Sequence, residues 1–162
     1  MTLKEFKVQC ALGTLSYNTI KTIAANSQTC VEVLHELSSA KNDNIRQAVA
    51  SNLSTPIQTL INLSKDFYTI RQAVAANPNA PQYALAMLSK SDMMTTRLRV
   101  AANPRTPDKV LALLAKDNNT DISQTAWKNL TNIKHFYHER EVQDEKDYTD
   151  VYNLTYDNAR DG

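Results

Sequence analysis

The sequence predicts an all-α fold, a right-handed superhelical solenoid of about five two-helix repeats of 25–26 residues, with a capping helix at each end. Three observations predict it. A short segment recurs five times at almost constant spacing, its apolar residues follow helical intervals, and the chain of 162 residues holds only two glycines.

The recurring segment is clearest as Ile45-Arg-Gln-Ala-Val-Ala-Ser-Asn52, Ile70-Arg-Gln-Ala-Val-Ala-Ala-Asn77 and Thr96-Arg-Leu-Arg-Val-Ala-Ala-Asn103. Weaker copies end at Asn26 and Asn129, so the five asparagines are separated by 26, 25, 26 and 26 residues. Eight residues after each of the first four comes a leucine, and three later another: Leu34 and Leu37, Leu60 and Leu63, Leu85 and Leu88, Leu111 and Leu114. The first helix of each unit is rich in helix formers with small side chains, which permit close approach between neighbours. It is expected to stop at Asn in a left-handed conformation, with Pro78 and Pro104 forbidding continuation.

The second helix is expected to open at Thr55-Pro56, Ala80-Pro81 and Thr106-Pro107, with threonine as N-cap and proline in the first turn. Glu32 after Thr29 and Gln58 after Thr55 have capping-box spacing, and Asp108 suits the helix dipole. Each leucine pair then lies one turn apart on a buried face. Neither helix can bury its stripe alone, so the units must stack. The repeat domain is placed at residues 1–141, with caps at 1–18 and 122–141. Leu3, Phe6 and Cys10 mark the first cap; Trp127, Leu130, Ile133, Phe136 and Tyr137 mark the second, with Trp127 expected to pack on the last unit.

The pattern Arg-x-Ala-Val-Ala-x-Asn-Pro-x-Thr-Pro-x-x-x-Leu-x-x-Leu, best matched by residues 71–90, resembles the variant leucine-rich repeat of bacterial proteins. The resemblance covers residues 19–120 well and 121–141 loosely. It implies a superhelix of alternating 3₁₀-like and α helices and a bacterial or phage source, and it says little of function. Some members carry an iron–sulfur module, for which Cys10 and Cys30 cannot supply four ligands.

Glycine scarcity excludes GxGxxG, P-loop and GxSxG motifs. No nucleophile–base pair or carboxylate pair stands out, so no enzyme activity is expected. His135 and His138, three apart, lack a third ligand, so neither metal nor cofactor is expected. The two cysteines read as small buried thiols, and the cytoplasm is the expected compartment. No window approaches the roughly 18 apolar residues of a membrane span.

What remains is a binding surface. Arg46, Arg71 and Arg97 each stand six residues before an asparagine, and Arg99, Arg105, Lys109 and Lys128 add charge nearby. Such a row suits a phosphate backbone or an acidic partner. Alternatively it is structural, tied to Asp43, Asp66 and Asp92, which precede the arginines by three to five residues.

The net charge of +1 is a cancellation: residues 1–135 sum to +6 and residues 136–162 to −5. The acidic tail, 142–162, carries Tyr148, Tyr152 and Tyr156 at intervals of four. It reads either as a solvated terminus or as a peptide that docks on a partner or on the basic repeats. The expected function is non-catalytic binding of another macromolecule, a protein first and a nucleic acid second.

Overall fold

The structure, a computed structural model, describes residues 1–138, in which ten α-helices and no strand occur. They are α1 (Leu3–Ala11), α2 (Tyr17–Ala25), α3 (Val31–Leu37), α4 (Asp43–Ser51), α5 (Ile57–Leu63), α6 (Tyr68–Ala76), α7 (Gln82–Leu88), α8 (Met94–Ala102), α9 (Asp108–Leu114) and α10 (Thr120–His138). Residues 1–130 form one unit, and the last residues of α10 belong to a second.

From α2 to α9, helices of nine and seven residues alternate. The 3₁₀ member implied by the family resemblance does not occur among the described residues. Nine residues make two and a half turns, enough to close successive i→i−4 bonds. The nine-residue helices pack in succession, α2 on α4, α4 on α6 and α6 on α8, while each seven-residue helix packs beside its neighbours in sequence. All eight leucines of the paired positions are buried, as are Val49, Val74 and Val100. Each fully buried leucine or valine contributes about 1.5–3 kcal/mol of apolar transfer.

The asparagines depart from expectation in a way that explains their recurrence. Asn26, Asn52, Asn77 and Asn103 are extended, with φ between −76° and −71° and ψ between 121° and 130°. Pro78 and Pro104 favour this, because a proline pushes the residue before it out of the helical region. In this geometry the side-chain amide reaches back one whole unit. Asn52 Nδ2 donates to Ala24 O at 2.8 Å and to Asn26 O at 2.9 Å. Asn77 does the same to Ala50 and Asn52, Asn103 to Ala75 and Asn77, and Asn129 to Ala101 and Asn103. Oδ1 accepts from the backbone N–H two residues on, holding the turn that follows. Ala24, Ala50, Ala75 and Ala101 sit at helix C-termini, where carbonyls lack intrahelical donors.

Threonine and proline also play roles other than those expected. Thr29, Thr55 and Thr106 do not cap the helix ahead; each Oγ1 donates back to the carbonyl of Ile23, Val49 or Val100 at 2.6 Å. The N-caps are instead Cys30, Pro56, Pro81 and Pro107, none with a side-chain capping bond. The Glu32 and Gln58 capping boxes are therefore absent: the hydroxyls are spent on the preceding helix. A capping box does form at α1, between Thr2 and Glu5. That helix ends at Gly13 (φ 66°), where Gly13 N–H bonds Cys10 O and Thr14 N–H bonds Gln9 O, the Schellman pattern.

Phe6 is buried on α1, which packs on α3. Contrary to the buried pair expected, Cys10 is exposed, because α1 turns only the Phe6 face inward, and Cys30, at the N-cap of α3, is half-buried. Trp127, expected to pack on the last unit, is 56% exposed. It stands two residues before Asn129, where earlier units have Ala50, Ala75 and Ala101 covered by the next helix, whereas α10 is the last described.

Asn77→Ala removes two buried donors and is expected to destabilise by about 3 kcal/mol in urea unfolding. Asn26→Ala, at the exposed start of the series, should change stability by less than about 1 kcal/mol. Equal losses at both positions would contradict the amide account. Thr96, whose buried Oγ1 lacks a partner among the described residues, stands where three other units have Ile45, Ile70 and Ile122. Thr96→Val is expected to raise stability by about 1 kcal/mol.

Candidate functional site

The three arginines of the row occupy equivalent positions on α4, α6 and α8, yet their surroundings differ. Arg46 spends all five N–H groups. Nε and Nη2 hold both oxygens of Asp66 at 2.8 and 3.1 Å, Nη1 bonds Ala40 O and Lys41 O, and Nη2 also reaches Asp43. Arg97 repeats the arrangement: Nε and Nη2 hold Asp117 at 2.7 and 3.2 Å, and Nη1 bonds Ser91 O and Asp92 O. The fork-on-carboxylate geometry is the strong form of an arginine ion pair.

The main partner of each of these two arginines is not the aspartate that precedes it in sequence but one 20 residues ahead. Each arginine thus grips the loop before its own helix and the loop that opens the next unit. Asp66 is held below the usual carboxylate value: burial would raise it, but the Arg46 hydrogen bond, the Phe67 amide and the Arg46 charge together outweigh that. Asp117 is lowered first by its hydrogen bond from Arg97, against burial, with help from the Asn119 amide.

Arg71 has neither partner. Its Nε is buried with no hydrogen-bond partner among the described residues, and it enters no ion pair there. Two local sequence differences account for this. The connection from α5 to α6 has four residues, where those before α4, α8 and α10 have five, which removes the carbonyl pair behind the guanidinium. Ahead of it, three residues past the second leucine, Ser91 replaces the aspartate found at 66 and 117. Ser91 is in the same turn: its N–H bonds Leu88 O, as those of Asp66 and Asp117 bond Leu63 O and Leu114 O. Its Oγ accepts from Met93 N–H, as Asp117 Oδ1 accepts from Asn119 N–H.

An open cleft of about 520 Å³ lies at this point, lined by Arg71, Lys65, Lys90, Tyr68, Met87 and Met93, and also by Ser91 and Asp92. Beside it the chain exposes two apolar pairs, Phe67-Tyr68 and Met93-Met94, at the starts of α6 and α8. The corresponding residues elsewhere are Asn42-Asp43 and Asn119-Thr120. Phe67 is 63% exposed, and large apolar side chains grouped on a surface mark contact sites. Sequence reasoning passed over this patch. Its signals were the 25-residue interval, Ser91 in the aspartate register and the two apolar pairs.

Arg99, Arg105, Lys109 and Lys128 are exposed and lie on separate elements: α8, the following turn, α9 and α10. Arg99 is about 200° around α8 from Arg97, hence on another face. Tyr148, Tyr152 and Tyr156 lie outside the described residues. Among the described residues no cluster of three His, Cys, Asp or Glu is placed to hold a metal. No helix there is long and apolar enough to cross a membrane.

Because the carboxyls of Asp66 and Asp117 have lower pKa values folded than unfolded, their stabilisation is present above about pH 4. It is lost as pH falls through the lower folded values. Asp117→Asn is therefore expected to cost about 1–3 kcal/mol at pH 7. The gap from wild type should shrink in urea titrations at pH 3, and a gap independent of pH would contradict the ion-pair account.

Comparison of the chain with protein-family models, with curated proteins and with solved structures finds no match in any of the three.

Proposed function

We propose that the chain is a right-handed α-solenoid of about five two-helix repeats, of the variant leucine-rich kind, that binds another protein without catalysis. The successive packing of α2, α4, α6 and α8, with the same amide bond at each junction, supports the architecture. The single observation that carries the function is the exposed apolar group Phe67, Tyr68, Met93 and Met94 around the cleft. A patch of this kind gains little from a phosphate backbone and much from an apolar partner surface. The nucleic-acid reading is weaker, because Arg46 and Arg97, two of the three arginines in the row, are consumed by internal partners.

The test is capture from host extract by the full chain, with the captured species identified and its affinity measured. Phe67→Ser/Met93→Ser should weaken a protein partner by about tenfold or more while leaving the helical signal intact. Arg99→Glu/Arg105→Glu should leave that affinity largely unchanged. A captured polynucleotide, lost steeply between 50 and 200 mM salt and abolished by the charge reversal, would overturn the reading.

A further inference from the structure

We infer that the cleft at Arg71 is a carboxylate-binding site, built to take an aspartate or glutamate side chain or a C-terminal carboxylate from a peptide. The inference rests on the protein-binding reading and adds the chemistry of the group recognised.

The argument is internal to the fold. At the equivalent positions, Arg46 and Arg97 each close on a carboxylate through Nε and Nη2 at 2.7–3.2 Å. In both, the carboxylate comes from the residue 20 places ahead. At Arg71 that place belongs to Ser91, whose side chain has a hydroxyl in place of the carboxylate and already accepts from Met93 N–H. The result is a guanidinium that lines the cleft without an acceptor among the described residues, its Nε shielded from solvent in the unliganded protein. A buried donor without an acceptor is destabilising, and a carboxylate entering from the cleft, with the Arg71 side chain turned to meet it, supplies the acceptor that Asp66 and Asp117 supply elsewhere.

Charge and shape agree. Lys65 lines the cleft with Arg71, two cations against Asp92. Asp92 is one residue out of register; it makes no hydrogen bond to Arg71, and its charge acts on Arg97 instead. Tyr68, Met87 and Met93 line the same cleft, and their apolar surfaces suit the carbon stem of a side chain behind its carboxylate. A planar two-oxygen acceptor matches the paired Nε and Nη2 donors seen twice in the same chain, so a carboxylate is favoured over a phosphate.

The experiment uses the full chain labelled with nitrogen-15, observing arginine Nε–H resonances while sodium acetate is added, with sodium chloride and sodium phosphate at matched ionic strength as separate arms. Acetate is expected to move the Arg71 resonance saturably, with Kd on the order of millimolar, while those of Arg46 and Arg97 stay still. Ser91→Asp should restore the internal pair: its Arg71 resonance starts near the acetate-bound position, acetate no longer moves it, and the Tm rises. Arg71→Gln, read on the backbone amides of Ser91 and Met93, should show no acetate response. An equal response to chloride, tighter binding of phosphate, or an acetate response that survives Ser91→Asp or Arg71→Gln overturns the inference. If the Phe67→Ser/Met93→Ser variant loses a protein partner while acetate has no effect, the carboxylate assignment falls and the protein-binding reading stands. The reverse result separates them the other way.

Discussion

Every helix end leaves carbonyl groups that nothing within the helix can satisfy, and two-helix units this short have many ends for their size. The asparagine side chain resolves this at each junction. One amide has two hydrogens, and both go to carbonyls of the preceding unit: one at the penultimate residue of its long helix, one at that unit's own asparagine. The bond demands that consecutive long helices approach closely, so the residue two places before each asparagine is alanine at 24, 50, 75 and 101. Core composition and turn geometry thus both follow from a buried amide needing acceptors within about 3 Å.

The arginine–aspartate pairs are a second tie between units, of a different kind. Asn77 and Asn103 are almost fully buried and neutral, so their bonds keep their strength in any salt and lose nothing to ionic desolvation. Asp66 and Asp117 are only partly covered, and their pairs with arginine carry the usual burden of stripping water from two ions. The amides therefore set the stacking, and the ion pairs trim it. Omitting an ion pair at one junction is tolerable, where omitting an amide would not be. At Arg71 that latitude has been used, and there, among the described residues, a guanidinium without an acceptor meets an open cleft and a group of exposed apolar side chains.

The helices themselves were legible. Leu60 with Leu63 and Leu85 with Leu88 can lie on one buried face only if the chain is helical, and the recurring Asn marked each break. The asparagine conformation was legible only in part: Asn tolerates both left-handed and extended backbone, Pro78 and Pro104 disfavour the helical region at Asn77 and Asn103, and the acceptors 25–28 residues away that the side chains of Asn52, Asn77 and Asn103 reach are beyond any local rule. Thr55 and Thr106 misled for the same reason: a hydroxyl before proline suits an N-cap, but a helix-end carbonyl six residues back competes for it and wins. The arginine row was visible as a row, and its division into two structural members and one open member was not. That division depends on a one-residue shortening before α6 and on Ser91, differences that matter only once units are placed side by side. Trp127, expected to pack on the last unit, is 56% exposed at the position where Ala50, Ala75 and Ala101 are buried in earlier units.

The amide bonds have a direction. Asn52, Asn77, Asn103 and Asn129 each donate backwards by one unit, and each carbonyl they use belongs to the unit immediately before. Nothing in a junction refers to how many units precede or follow it. A tandem duplication of residues 78–103 would find acceptors already waiting on one side and a donor on the other, with no new chemistry required. The joints therefore encode how units attach and leave the length of the array free, so length can drift by whole units over generations while each junction stays the same.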